Sequence, residues 1–305
     1  MKNFKILILL ILLSTLLFSQ GHIDNPFLWK VTKNKQEFYL FGTMHLQVPE
    51  LQILPKSLVE VIKRSDVVYT EIPMDISTQL HASRLVMRGD SRKLKEIIPN
   101  KIYKEIVWYL YKINPKLSIT LFDKMKIWGV SSSLSSLKTQ LKYPNLRAID
   151  KVIYDYAKSK RKKVLGIETI AEQLGIMDKF TQQEQIIALE QSLMQLNEKR
   201  DYINELKGFY LKGNGPKLMN FIESMMFQIP KYKRLEEKFM TLLLYQRNLI
   251  MAKRIDSLIK NGSHKNYLFA FGVMHFLGKK SVNEYLKSYG YSVVRASNVK
   301  QHGLF

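Results

Sequence analysis

Two nearly identical pentapeptides constrain this fold more than any other feature of the sequence. The chain reads FGTMH at residues 41–45 and FGVMH at residues 271–275, and each copy follows an apolar, aromatic segment typical of a buried strand. Glycine allows a sharp turn or a close backbone approach where a strand ends. The repeat therefore predicts that His45 and His275 lie at the carboxyl edge of one α/β sheet, where such sheets place their sites. The alternative is a pair of hydrogen-bonded core histidines.

Two carboxylates occupy the same kind of position. Glu71 ends the segment DVVYTE, and Glu168 ends the segment KVLGIE. A glutamate directly after a buried strand is costly unless it is paired, hydrogen-bonded or bound to a metal. Four strand ends then supply two histidines and two glutamates, the ligand types of a catalytic divalent metal with an open position for water. The alternative is that each glutamate forms an ion pair with one of the many basic residues.

The remaining pattern predicts an α/β protein. Residues 27–31 and 37–41 read as a hairpin, and a helix at 57–65 precedes a strand at 66–71. Asp150 reads as the N-cap of a helix, with a supporting role at the site as the alternative. A long helical segment covers residues 171–260, with its last helix at 233–260, and a closing strand covers 291–296. We predict a central mixed β-sheet flanked by helices, with a long helical segment before the last strands.

The first twenty residues resemble a signal peptide. Lys2 and Lys5 precede an apolar run at residues 6–18, which is shorter than the roughly 20 residues needed to span a membrane. We therefore expect an exported protein, periplasmic or extracellular, with one domain at residues 21–305. An uncleaved N-terminal anchor is the alternative. The chain has no cysteine, which excludes disulfides, thiolate metal sites and cysteine nucleophiles.

The formal net charge of +22 favours anionic partners. The basic clusters are scattered and are flanked by amphipathic helical pattern, so they read as solvated faces rather than a nucleic-acid interface. We expect no nucleic acid as a partner. An anionic envelope surface or an acidic substrate fits the charge better.

Several segments together resemble the TraB/PrgY/GumN family, the bacterial relatives of the Tiki proteins. The likeness covers about residues 27–296 and includes YLFGTMH, YTEIP, LRAID, VLGIET, LLYQRN and FAFGVMHFLG. It implies that His45 and His275 are the family's two GxxH histidines and that Glu71 is its active-site glutamate. It also implies that Glu168 and Arg247 belong to the same cleft. Tiki proteins are regarded as metal-dependent proteases and the plasmid-encoded relatives act on peptide pheromones, so peptides or proteins are the implied substrates.

These residue types allow a mechanism to be written. His45, His275 and Glu71 would hold a divalent ion, for which Zn, Mn and Co are all suitable. Glu168 would act as general base, although the two glutamates can exchange roles, and Arg247 would orient a carboxylate, stabilise an oxyanion or bind a substrate carboxyl group. We thus predict an exported metal-dependent hydrolase that cleaves peptide or amide bonds. The alternative is a non-catalytic protein that sequesters a peptide or binds haem or iron.

Overall fold

The computed structural model describes residues 23–198, 200–226, 229 and 232–296. The predicted signal peptide lies outside these residues, and the interpretation of residues 21–305 as one domain stays a prediction. None of the helices in the described ranges combines the length and the apolar character that crossing a bilayer requires.

A mixed six-stranded sheet organises the fold, as predicted. It contains β1 (Leu28–Lys33), β2 (Gln36–Thr43), β3 (Val67–Thr70), β4 (Lys163–Gly166), β5 (Tyr267–Gly272) and β6 (Ser292–Arg295). The strands lie in the order β4-β3-β5-β2-β1-β6. β1 and β2 form the predicted hairpin, and Asn34 takes a left-handed conformation (φ 54°) in the turn between them.

Helices cover the sheet and form most of the segment before the last two strands. Those in the first half are α1 (Lys56–Arg64), α2 (Ile76–Leu85), α3 (Asn100–Ile113), α4 (Ile127–Lys142) and α5 (Ile149–Ser159). The helical segment contains α6 (Ile170–Gly175), α7 (Gln182–Asn197), α8 (Tyr202–Leu211), α9 (Gly215–Met225), α10 (Lys233–Met240) and α11 (Gln246–Asn261). α12 (Val282–Ser288) precedes β6. The α/β class and the long helical segment are confirmed.

Four of the six strands point the same way. β4, β3, β5 and β2 are parallel neighbours, whereas β1 pairs antiparallel with both β2 and β6. The register pairs Thr43 with Gly272, and it pairs Thr70 with both Ala270 and Gly166. The carboxyl ends of the four parallel strands therefore meet at one edge of the sheet.

The described residues pack around two hydrophobic cores. The larger core surrounds the sheet and includes Phe41, Phe269 and Ile255, all fully buried. The smaller core lies among α3, α4 and α7 and includes Ile106 and Leu189. Burial of these side chains supplies the main favourable free energy of folding.

One local prediction is wrong, and another is confirmed with a local change. Asp150 is not an N-cap, because the helix has Ala148 at that position and Asp150 lies in the first turn, with its side chain directed elsewhere. The predicted helix at 233–260 is interrupted by a π-helical turn at Thr241–Tyr245. Such a turn inserts one residue into the helix and changes the direction of the side chains that follow it.

Candidate active site

The edge where the parallel strands end gathers the residues that the sequence singles out. Glu71 directly follows β3, and His45 and Glu168 lie two residues beyond β2 and β4. His275 lies in a short 3₁₀ turn, Val273–Phe276, that follows β5. The four side chains therefore follow the four parallel strands β2, β3, β4 and β5, which end at the same edge of the sheet.

Both histidines direct an imidazole nitrogen toward the same carboxylate oxygen. The Nε2 atom of His45 lies 3.6 Å from Glu71 Oε2, and the Nε2 atom of His275 lies 3.7 Å from it. Glu71 is 4% exposed and His275 is 5% exposed, whereas the side chain of His45 is half exposed. The cluster therefore has a buried floor and one side open to solvent.

The second nitrogen of His275 is fixed by an asparagine. His275 Nδ1 lies 2.6 Å from Asn248 Oδ1, and Asn248 Nδ2 donates to the carbonyl of Lys280 at 2.8 Å. Because the amide nitrogen of Asn248 is the donor to Lys280, its oxygen faces His275 and accepts a hydrogen bond from Nδ1. This assigns the proton to Nδ1 and leaves Nε2 with a free lone pair.

A buried aspartate holds His45 in the same manner. His45 Nδ1 lies 2.7 Å from Asp150 Oδ2, and Thr43 Oγ1 donates to Asp150 Oδ1 at 2.5 Å. Asp150 is 1% exposed. The side chain that the sequence assigned to helix capping thus orients a histidine. A carboxylate on the far nitrogen is the arrangement that commonly fixes and strengthens a metal-binding imidazole.

Arg247 joins the two glutamates. Its Nε and Nη2 atoms donate to Glu168, with the shortest distance 2.6 Å to Oε2, and Nη2 also donates to Glu71 Oε1. The Nη1 atom donates to the carbonyl of Leu243 at 3.0 Å, inside the π-helical turn. All three charged groups are buried. The π turn ends two residues before Arg247 and helps to direct its guanidinium toward both carboxylates.

These contacts shift the pKa values of the site. Burial by itself would raise the pKa of Glu71, but the two histidines and Arg247 outweigh burial and hold that pKa well below its usual range. The charge of Asp150 raises the pKa of His45 well above its usual range, against the opposing effect of burial. Burial alone would lower the pKa of Arg247, yet Glu168 and Glu71 raise it. Glu71 is therefore held as a carboxylate.

The charge balance bears on whether a cation fits. Glu71, Asp150 and Glu168 contribute three buried negative charges, and Arg247 contributes one positive charge. Without a metal, the raised pKa of His45 means that a proton on this imidazole offsets one of the negative charges. In the neutral form that binds a metal, the two imidazoles would leave the cluster with two uncompensated negative charges, which are costly in a buried position. A divalent cation would balance them.

The space above Gly272 also bears on that fit. A Cβ atom on this glycine would lie 3.4 Å from Glu71 Oε2, 3.6 Å from His45 Nε2 and 3.5 Å from the ring of His275. The absence of a side chain at Gly272 therefore leaves a space bounded by the two histidines and the glutamate. The glycine of the first motif serves packing instead, because a Cβ on Gly42 would lie 2.9 Å from Val273 Cγ2.

The donor atoms are near one another without forming a finished metal site. Within the described ranges, no three His, Asp or Glu side chains already stand in an arrangement that could hold a metal ion. Both oxygens of Glu71 accept hydrogen bonds, Oε1 from Gln173 at 2.5 Å and Oε2 from the backbone of Gly272 at 3.1 Å. Two ligand atoms on one tetrahedral zinc ion are about 3.4 Å apart, so small rotations of the side chains would suffice. The donor types, the space and the charge all fit a divalent cation.

The structure thus brings together His45, Glu71 and His275, with Glu168 attached through Arg247. Sequence reasoning missed the role of Asn248, which directly follows Arg247; the available signal was a polar residue beside a charged one between the apolar segments LLLY and LIMA. Of the other histidines within the described ranges, His81 is exposed, and His264 makes an edge-to-face contact with Tyr267 at the start of β5.

Comparison with known proteins identifies the family. The model of the TraB/PrgY/gumN family matches residues 27–295. The chain belongs to this family. The match contains both GxxH motifs and every residue of the cluster. No solved structure gives a significant match to the chain.

Curated relatives carry a protease name at low identity. The chain is 25% identical to Metalloprotease TIKI1 of Danio rerio over 313 residues, which cover 88% of this chain and 63% of that protein. It is 25% identical to human Metalloprotease TIKI1 over 323 residues, which cover 89% of this chain and 62% of the relative. The chain thus spans less than two thirds of the length of these relatives. The uncharacterised protein YbaP of Escherichia coli is 21% identical and is matched over 94% of its length.

Proposed function

We propose that this TraB/PrgY/gumN family member is a metal-dependent hydrolase that cleaves peptide or amide bonds. The observation that carries the proposal is the approach of two imidazole Nε2 atoms to one carboxylate oxygen, with the Nδ1 atom of each imidazole held by a buried partner. The name of the Tiki relatives supports a protease at the level of the family. The kind of substrate and the use of a metal by this chain go beyond that family-level support and are part of the proposal.

His45, Glu71 and His275 would hold the ion, and Zn, Mn or Co would suit these ligands. A divalent ion supplies Lewis-acid polarisation of the scissile carbonyl and lowers the pKa of bound water. The protein's own contribution is orientation. Asp150 and Asn248 keep the Nε2 lone pairs of the histidines directed at the site, because each occupies the opposite nitrogen.

The roles of the second glutamate and of the arginine follow from their contacts. Arg247 holds Glu71 in place and faces Glu168, so we propose that it orients both carboxylates. Glu168 as general base stays a prediction: each of its oxygens accepts a hydrogen bond from Arg247, and one of these bonds must loosen before the carboxylate can take a proton. The alternative, in which Glu168 binds the metal and Glu71 acts as general base, likewise stays a prediction.

A groove beside the cluster supports a peptide substrate. It has a volume of 280 Å³ and is lined by residues close in sequence to the site. Gln47 lies two positions after His45, Ile72 follows Glu71, and Lys151 follows Asp150. Its walls are mainly apolar, and Arg147 and Lys151 both pair with Asp155, which leaves a net positive charge of one beside the groove. A space of this kind would accept an apolar side chain of an extended chain, with an acidic group nearby. Export, to the periplasm or outside the cell, is proposed from the pattern of residues 1–20.

The test is elemental analysis of the purified protein, combined with cleavage of a peptide library after supplementation with Zn, Mn and Co. We expect about one divalent ion per chain, and loss of both metal and cleavage in His45→Ala and His275→Ala. Gly272→Ala is a sharper variant, because it keeps every donor and fills the space between them. His81→Ala and His264→Ala are matched controls and should behave as the wild type.

The outcomes separate the functions. Metal binding without turnover on any peptide would favour the alternative of a sequestering protein, and a haem absorption band would identify its ligand. Cleavage retained by His45→Ala or His275→Ala would overturn the proposed mechanism. No metal after supplementation, with the wild-type fold in all variants, would make the paired motifs structural.

A further inference from the structure

The outer face of α3 exposes an unusual set of side chains. Trp108 is 51% exposed, Tyr111 is 64% exposed and Val107 is 42% exposed. At 3.6 residues per turn, these three positions share one face of the helix, opposite Ile102, Ile106 and the other buried residues of α3. Large aromatic side chains on a solvent-facing helix cost hydrophobic free energy and often mark a contact surface.

Lysines surround these apolar side chains. Lys104 lies on the same face between Val107 and Trp108, while Lys112 packs over the Trp108 ring at 4.0 Å. Lys101 is the third lysine of this face, and its ammonium approaches Glu105 at 3.8 Å and Glu190 at 3.6 Å, so the positive charge of the face comes mainly from Lys104 and Lys112. Within the described ranges, no carboxylate forms an ion pair with Lys104 or Lys112. The face is therefore both apolar and positively charged.

We propose that this face, defined by Lys101, Lys104, Val107, Trp108, Tyr111 and Lys112, is a docking surface for an anionic lipid bilayer. Tryptophan and tyrosine have an apolar body and a polar tip and prefer the membrane–water interface. Lysines on the same helix add attraction to anionic headgroups, and the formal net charge of +22 favours the approach. An anionic bilayer matches both kinds of side chain at once, because its headgroups attract the lysines while its interfacial region covers the aromatic rings.

This inference does not depend on the proposed hydrolase activity, because α3 contributes no residue to the cluster of His45, Glu71 and His275. It places the protein at a surface rather than in bulk solution. The hydrophobic core beneath α3 keeps the helix in place, since Ile106 and Leu110 are buried on its inner side.

Tryptophan fluorescence provides a selective test with the full-length chain. The other two tryptophans, Trp29 and Trp128, are buried, so a change in the environment of an exposed tryptophan reports on Trp108. Vesicles of equal parts phosphatidylglycerol and phosphatidylcholine should shift the emission of Trp108 to shorter wavelength. Brominated acyl chains should quench that emission, and Trp108→Phe should lose the quenching while it still sediments with the vesicles.

The charge contribution is tested by a matched pair of double variants. Lys104→Glu with Lys112→Glu should weaken sedimentation with these vesicles by about tenfold or more. Lys158→Glu with Lys160→Glu changes the net charge by the same amount at exposed positions on another helix, and it should bind as the wild type. Circular dichroism verifies the fold of each variant.

Three results would overturn the proposal. The first is equal binding by the two double variants, which would make the attraction a property of net charge alone. The second is binding to pure phosphatidylcholine as strong as binding to the mixed vesicles, unaffected by the α3 variants. The third is α3-dependent binding to a soluble polyanion such as heparin without any quenching by brominated lipid, which would identify an acidic macromolecule as the partner.

Discussion

The two hydrophobic cores of the molecule differ in how many charged side chains are buried beside them. Around the sheet, Glu71, Asp150, Glu168 and Arg247 are all buried at one edge. The core among α3, α4 and α7 is built from apolar side chains such as Ile106, and the buried carboxylate beside α7, Glu236, accepts a hydrogen bond from the amide of Gln191. Burial of charge is expensive, so a concentration of it at one edge of a sheet indicates chemistry rather than a need for stability.

The two regions also differ in how their polar side chains are held. The sheet edge holds its side chains through hydrogen bonds between residues far apart in sequence, such as Thr43 and Asp150. The helical core leaves aromatic and basic residues of α3 free on the surface. The sheet edge therefore fixes the positions of its buried polar atoms, whereas α3 exposes side chains to solvent.

Removal of the charge that joins the two glutamates should have the largest effect. We expect Arg247→Met to destabilise the protein by about 3–5 kcal/mol, because Glu71 and Glu168 would be left buried without a cation. Urea unfolding measures this change. Arg254→Met removes an arginine from a partly exposed pair with Glu172 and should cost about 1 kcal/mol or less. Equal losses of unfolding free energy in the two variants would mean that burial of the ion pairs adds nothing to the cost of removing the arginine.

A cavity in the helical core tests the other half of the comparison. Ile106→Ala should destabilise the protein by about 2–5 kcal/mol, because Ile106 is fully buried and its removal leaves an unfilled space. The metal content of the folded variant should equal that of the wild type, since this core does not touch the site. Loss of metal in a folded Ile106→Ala variant would show that the two cores are coupled.

The residue behind His275 should have an intermediate effect, on affinity rather than on folding. Asn248→Ala removes the acceptor for His275 Nδ1 and should weaken metal binding about 10- to 100-fold. Titration with Zn in competition with a chelator measures it. Asn248→Asp supplies an acceptor on the same stem and should recover affinity. Wild-type affinity in Asn248→Ala would remove the argument that this asparagine sets the tautomer.

The sequence was sufficient for the strand ends but not for what supports them. The two GxMH motifs and the glutamates after apolar runs predicted that His45, His275, Glu71 and Glu168 would gather at one edge, because parallel strands end on the same side. The parallel strands β4, β3, β5 and β2 are neighbours in the sheet, and their order brings the four residues to one edge. The identity of the ligands among these four residues stays a prediction.

The supporting contacts were not predictable because they depend on tertiary packing. The sequence favours Asp150 as a helix cap, with a supporting role at the site as the alternative; the helix cap is Ala148, two residues earlier, and the Asp150 side chain contacts Thr43 and His45 instead. The π-helical turn before Arg247 leaves no clear mark in a hydrophobic pattern of period 3.6. The pairing of Asn248 with His275 joins residues 27 positions apart through the fold alone.

The smallest expected effect concerns a surface pair outside the buried network. Hydrogen bonds from Arg254, together with the backbone of Thr169, lower the pKa of Glu172 to about 2. A carboxylate whose pKa is lower in the folded state contributes stability above its unfolded pKa of about 4.3, and that contribution is lost as pH falls toward 2. Because Glu172 and Arg254 are more than a third exposed, solvent screening limits the contribution to about 1 kcal/mol or less. The difference in unfolding free energy between the wild type and Glu172→Gln should therefore be small at pH 7 and should vanish near pH 2; a difference that stays constant across this range would mean that the ion pair contributes nothing.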